Sequence, residues 1–223
     1  PRARGLSVGV NLNPDRHCDY DCVYCEVNRR LPLRETRLNV EVMAAELERT
    51  LANVTSDVLR EHPAYRNLPA ELLRLQHVTL SGDGEPTLCP KFCEAVETVV
   101  HLRARESRPF KMVLITNTTG LGLPAVERGI RLFTSQDEIW VKLDAGTQAY
   151  MDVVNRPGIT LRQTLDNILA LACRRPVVIQ SLFAQIGDCE PPAQEIDGYI
   201  DRLRDLKQAG AQISLVQIYS AHR

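Results

Sequence analysis

HVTLSGDGEPTLCPKFCEAVETVVHLRAR (77–105) leads on to MVLITNTTG (112–120), and the reading of this alternation decides the fold. His77–Ser81 is a nearly continuous apolar and β-branched run, as a strand buried on both faces should be. A polar, glycine-rich loop follows. Lys91–Arg105 then places Phe92, Val96, Val99 and Val100 at helical spacing. Met112–Asn117 is a second apolar run with its own polar loop. Strand, loop, helix, strand is the unit of a parallel sheet with right-handed crossovers.

The same unit recurs in both directions along the chain. Further strands are predicted at Leu6–Asn11, Glu138–Asp144, Val177–Phe183 and Gln212–Tyr219. Helices are predicted at Val40–Leu59, Pro124–Phe133, Leu161–Cys173 and Pro192–Gln208. Thr160 is placed to cap the third of these, and Gly210 to end the fourth. Six strands result. A closed eight-fold barrel typically takes about 250 residues, so these 223 residues point to a partial barrel or an open doubly wound sheet in one domain, 1–223. In either, ligands gather where strands end and the next loops begin. The polar signals sit there: a cysteine loop after strand one, GDGEP after strand two, TNTTG after strand three, and KLDAG closing strand four.

A net charge of −1 argues against attraction of the whole surface to nucleic acid or membrane. At 44% hydrophobic the chain can bury a core. No apolar run approaches the ~20 residues of a membrane helix, and no signal peptide is visible, so the expected location is cytoplasmic. Seven cysteines, three of them in eight residues, read as reduced thiols and a metal site rather than a disulfide framework.

That cluster is HCDYDCVYCE (17–26), with Cys18, Cys22 and Cys25 in a C-x3-C-x2-C pattern. A thioredoxin-like pair would leave Cys18 without a role. Closed structural zinc needs a fourth ligand; His17 adjoins Cys18 too closely, while Cys89 or Cys93 could reach over. Iron–sulfur clusters ordinarily take four thiolates. Three leave one iron open, and an open position is how a metal does chemistry.

With aromatic Tyr24 before the last cysteine, CDYDCVYC resembles the C-x3-C-x-Φ-C signature of the radical S-adenosylmethionine enzymes. SGDGEPTL (81–88) is similar to that superfamily's glycine-rich motif, with Gly84 and Glu85 matching. TNTT (116–119), WVKLDAG (140–146), VNRPG (154–158) and VQIYSAHR (216–223) resemble a bacterial and archaeal subgroup of Fe–S oxidoreductases grouped with the tRNA wyosine-synthesis enzymes. The resemblance implies a (β/α)6 partial TIM barrel. It implies a [4Fe–4S] cluster on Cys18, Cys22 and Cys25, with S-adenosylmethionine chelating the fourth iron. An electron donor such as flavodoxin or ferredoxin is implied as a partner. The substrate stays open between a small molecule, a peptide and RNA. A zinc-stabilised binding module and a plain electron carrier are the rivals.

Around such a cofactor the sequence offers Tyr24, Gly84, Glu85, Asn117, Lys142, Asp144 and Tyr219. Glu85 would receive the methionyl ammonium. Asn117 would meet a ribose hydroxyl or only stabilise its turn. Lys142 and Asp144 would share a face with Trp140, as cofactor ligands or as a buried ion pair. Tyr219 would stack or hydrogen-bond at the adenine. Of Gln180 and Ser181, at most one points into a barrel. Cys89 and Cys93, at i, i+4, read as packing residues rather than a second cluster. Arg29, Arg30, Arg34 and Arg37 form a basic run that suits a phosphate-rich substrate or a solvated face.

Overall fold

The computed structural model describes residues 5–33, 35–107, 110–187 and 189–219. Six strands make one parallel sheet: β1 (Leu6–Asn11), β2 (Leu75–Ser81), β3 (Lys111–Thr116), β4 (Glu138–Lys142), β5 (Val177–Leu182) and β6 (Ile213–Tyr219). The helices are α1 (Val40–Thr55), α2 (Phe92–Arg105), α3 (Pro124–Ile130), α4 (Gln148–Val154), α5 (Leu161–Ala172) and α6 (Ala193–Gln208). Spatial order equals chain order, β1 to β6, and every neighbouring pair is parallel. Five successive parallel crossovers run in one direction, and with the right-handedness such units take they put the helices on one face. This is the arrangement of a (β/α)6 partial barrel; a doubly wound sheet reverses its strand order midway.

The helix-side face carries the main core: Val10, Val78, Leu80, Met112, Leu114, Ile139, Val141 and Ile179 lie under Leu47, Leu51, Phe92, Val96 and Ile168. The inner face is different. It holds a small apolar cluster of Val113, Trp140 and Val178 among polar pairs. Ser7 and Thr79 hydroxyls lie 3.0 Å apart, Lys111 Nζ donates to Glu138 at 2.7 Å, and Gln180 Nε2 donates to Gln217 at 3.0 Å. Gln180 therefore faces inward, while the Ser181 hydroxyl meets Tyr199 of α6 at 2.6 Å.

Local chemistry sets the ends. Asn39 Oδ1 accepts the Glu41 and Val42 N–H groups and starts α1. This helix stops at Thr55 and not at Leu59, because Ser56 turns to extended backbone with its hydroxyl on the Asn53 carbonyl. Thr160 and Gln163 form a capping box at α5. Gly210, at φ 94°, follows α6. Strand β4 ends at Lys142: Asp144 leaves the ladder and takes the Leu182 N–H with its side chain at 2.8 Å. Helix α4 has no counterpart in the sequence reading, since QAYMDVV is two turns long and closes on β-branched residues. Among the described residues, no helix is long and apolar enough to cross a membrane.

Candidate functional site

The cysteine loop leaves β1 and crosses the C-terminal ends of the strands. Glycine makes its seat. A Cβ on Gly84 would stand 1.9 Å from the His17 carbonyl oxygen, and one on Gly82 2.4 Å from Asn13 Oδ1. Only glycine lets GDGEP lie this close to residues 13–17. The Glu85 N–H then donates to the His17 carbonyl at 2.9 Å, and Asn13 Nδ2 to the Glu85 carbonyl at 3.0 Å. The approach these glycines permit is to the chain's own loop, where the sequence reading expects a ligand.

Glu85 is buried. Its Oε1 accepts from the Thr87 N–H at 3.0 Å, the Thr87 hydroxyl at 2.5 Å and the Thr116 hydroxyl; Oε2 accepts the Asn117 N–H at 2.7 Å. Burial pushes its carboxyl pKa up, and those donors oppose the rise. A carboxylate offers about four acceptor sites. Three of the four protein donors fall on Oε1 and one on Oε2, and together they join the β2 and β3 loops through this carboxylate.

Asn117 Nδ2 donates to Asp19 Oδ1 at 2.9 Å and lies 3.9 Å from Cys18 Sγ; the Thr119 hydroxyl donates to Asp19 Oδ2 at 2.7 Å. Asp19 thus anchors the loop to TNTT.

Asp144 forms the second anchor. Oδ2 accepts from the Tyr24 hydroxyl and from Asn155 Nδ2 at 2.9 Å; Oδ1 accepts from Leu182 N–H and faces Lys142 Nζ at 3.1 Å. Lys142 donates to the Tyr219 hydroxyl at 2.8 Å and lies over the Tyr24 and Tyr219 rings, 5.2 and 5.0 Å from their centroids. Burial works to lower the Lys142 pKa, but Asp144 and Tyr219 outweigh it and leave it raised. Tyr24 is held well above the usual phenol range by burial and by Asp144. Lys142 and Asp144 do pair, as the buried-pair reading expects.

Cys18, Cys22, Tyr24, Gly84, Glu85, Asn117, Lys142 and Asp144 line one cleft of about 160 Å³. Tyr219 joins it through Lys142. Cys25 is exposed and does not line it. Burial pushes the Cys18 thiol up to about 11 and also raises Cys22, where Asn155 and Tyr24 oppose the rise. A metal would have to displace those protons, as bound cations do. Among the described residues no three His, Cys, Asp or Glu side chains stand ready around one metal position. The donor chemistry nonetheless fits an iron–sulfur cluster: three soft sulfurs in one loop, two of them approached by side-chain amides.

The sequence reading has no role for Asn13, Asp19 or Asn155. Backbone geometry marks the region as well. Among the described residues, three other than glycine take positive φ, namely Arg16 (57°), Thr118 (80°) and Arg156 (44°), and each borders a site loop. The basic run is partly spoken for. Arg29 donates to the Tyr20 carbonyl at 2.8 Å, Arg30 and Arg37 are exposed, and Arg34 lies outside the described residues, as do residues 220–223. Cys89 sits before α2 begins and is buried, so Cys89 and Cys93 do not share a helix. A larger cavity, about 1050 Å³, opens between α3 and α5 at Lys111, Glu138 and Arg175, with none of the cysteines in it.

No protein-family model matches the chain. A UPF0026 protein of Helicobacter pylori is 26% identical over 179 residues, 77% of this chain and 49% of that protein. Neomycin C epimerase of Streptomyces fradiae is 25% identical over 204 residues, 91% of this chain and 53% of the enzyme. The chain spans about half the length of these curated relatives. Among solved structures, Streptococcus suis SuiB bound to S-adenosylmethionine superposes with a TM-score of 0.59 at 13% identity, covering 98% of this chain and 40% of SuiB. TYW1 with a lysine–pyruvate adduct gives 0.57 at 15%, covering 99% and 66%. The cobalamin-dependent S-adenosylmethionine radical enzyme OxsB gives 0.53 at 15%, covering 89% and 26%. The fold is thus shared with these structures, a radical S-adenosylmethionine enzyme among them.

Proposed function

We propose that this chain is the core of a radical S-adenosylmethionine enzyme. The observation that carries the reading is the cysteine loop, held across the C-terminal rim of a partial barrel with two of its sulfurs in a cleft beside Lys142, Asp144 and Tyr219. Cys18, Cys22 and Cys25 would hold a [4Fe–4S] cluster, and the cleft would take S-adenosylmethionine. Together these groups would supply one-electron cleavage of the sulfonium to methionine and a 5′-deoxyadenosyl radical. The chain's own work is placement. Asp19 and Tyr24 fix the two ends of the loop, and Glu85 joins the flanking turns. Asn117, with its amide between Asp19 and Cys18, would help hold the loop beside the cofactor. The polar inner face of the sheet, with Gln180 and Gln217, would receive the substrate. Likeness to a named epimerase and to TYW1 supports an enzyme and leaves the wyosine grouping as a proposal.

The test is anaerobic reconstitution with iron and sulfide, then dithionite and S-adenosylmethionine, followed by quantitation of 5′-deoxyadenosine. Iron with acid-labile sulfide and slow 5′-deoxyadenosine release are expected. Zinc alone would leave a binding module; an iron–sulfur centre that neither binds nor cleaves S-adenosylmethionine would leave an electron carrier.

A further inference from the structure

We infer that Asn155 is a positioning residue for Cys22, orienting its sulfur and tuning the cluster that sulfur would hold. The inference takes its ligand from the proposed function and its geometry from the chain alone. Asn155 is 2% exposed and caps the C-terminus of α4. Its Nδ2 lies 2.9 Å from Asp144 Oδ2, 3.2 Å from the Tyr24 hydroxyl oxygen and 3.4 Å from Cys22 Sγ. An amide carries two hydrogens. One serves Asp144, and the other lies between Tyr24 and Cys22. The Tyr24 hydrogen already goes to Asp144, so its oxygen is left to accept.

Backbone pairing fixes the same loop separately. The Asp21 N–H donates to the Asn155 carbonyl at 3.0 Å, the Val23 N–H to the Val154 carbonyl at 2.9 Å, and Tyr20 bridges Pro157. Register is therefore set by main chain, while Asn155 Nδ2 reaches both the Cys22 sulfur and the Tyr24 hydroxyl beside it. Aspartate would put a carboxylate beside Asp144 and a thiolate, and leucine would donate nothing. Asn117 approaches Cys18 only at 3.9 Å, its main bond being to Asp19. A donor on a ligand sulfur favours the more negative, reduced cluster and so raises its potential.

Wild type, Asn155→Leu and Asn155→His are reconstituted anaerobically. Iron is counted and the midpoint potential read by mediated titration with electron paramagnetic resonance. Asn155→Leu should keep its iron and fall to a lower potential, and Asn155→His, which restores a ring N–H at similar reach, should move back toward wild type. Equal potentials in wild type and Asn155→Leu overturn the assignment. If the leucine variant takes up no iron, crystal structures of the metal-free wild type and leucine variant decide. A Cys22 sulfur that leaves its wild-type rotamer while the backbone of residues 20–25 stays in place supports the role. A sulfur that stays in place, or a loop that moves as a whole, overturns it. A wild-type protein that binds no iron sinks the proposed function, and the metal-free structures still settle Asn155.

Discussion

Asp144→Asn isolates what the buried carboxylate does. The substitution keeps volume, removes the charge, and turns one oxygen into an NH2 group that faces donors. Four contacts are at stake: the Leu182 N–H, Lys142, Asn155 and Tyr24. The Asp144 side chain is 1% exposed and that of Lys142 15%. Removing one partner of a buried ion pair costs about 3–5 kcal/mol, since the other charge is left uncompensated. Lys142 keeps the Tyr219 hydroxyl at 2.8 Å, which favours the lower end, about 3 kcal/mol. For a domain of this size each kcal/mol moves Tm by about 2–4 °C, so a loss of about 6–12 °C is expected. Thermal unfolding of the metal-free protein measures the shift and urea denaturation the free energy, alongside Lys142→Met and the double variant. The double variant should lose less than the sum of the singles, because it strands neither charge. A single variant within about 0.5 kcal/mol of wild type, or strict additivity, would refute the reasoning.

Gly84→Ala should displace the cysteine loop, because a 1.9 Å contact to the His17 carbonyl cannot be relieved by any side-chain rotation. A cost of about 1–3 kcal/mol is expected, and iron uptake should fall while circular dichroism is retained. Alanine at Cys18, Cys22 or Cys25 should abolish the iron–sulfur centre, whereas Cys89→Ser with Cys93→Ser should still bind about four irons per chain. Loss of iron in that pair would show an unrecognised ligand. His77 is 5% exposed, and burial, aided by Lys111, lowers its pKa. Below about pH 6.5 the unfolded chain takes up a proton that the folded one refuses. Stability should therefore fall as pH drops through that window, and His77→Gln should flatten this limb in urea midpoints taken from pH 5 to 7.

The sheet was legible because its central strands are short, nearly continuous apolar runs buried on both faces, and the longer crossover helices each have a clear apolar face. Val78, Leu80, Met112 and Leu114 announce themselves through hydrophobicity alone. Helix α4 did not, being too short to show a period. The three cysteines were legible from spacing. Their supports were not, since Asn155 and Asp19 act through partners roughly a hundred residues away, and no local pattern distinguishes them from turn residues. Glu85 shows the opposite case. Its position after two glycines suggests a ligand, while the bonds from the Thr116 and Thr87 hydroxyls and the Asn117 N–H that tie it to the neighbouring loops are visible only in three dimensions.

The bond from Asn155 to Cys22 spans 133 residues, and this has a consequence for biosynthesis. At roughly 5–20 residues per second, Cys22 emerges from the ribosome about 7–27 s before the residue that orients it. Over that interval the thiols are present without their framework, open to oxidation or to the wrong metal. Insertion of the proposed cluster with Cys22 oriented would thus wait until residue 155 has been made. Slowing translation between residues 25 and 155 should lower the fraction of protein that acquires iron while leaving the yield of folded sheet unchanged.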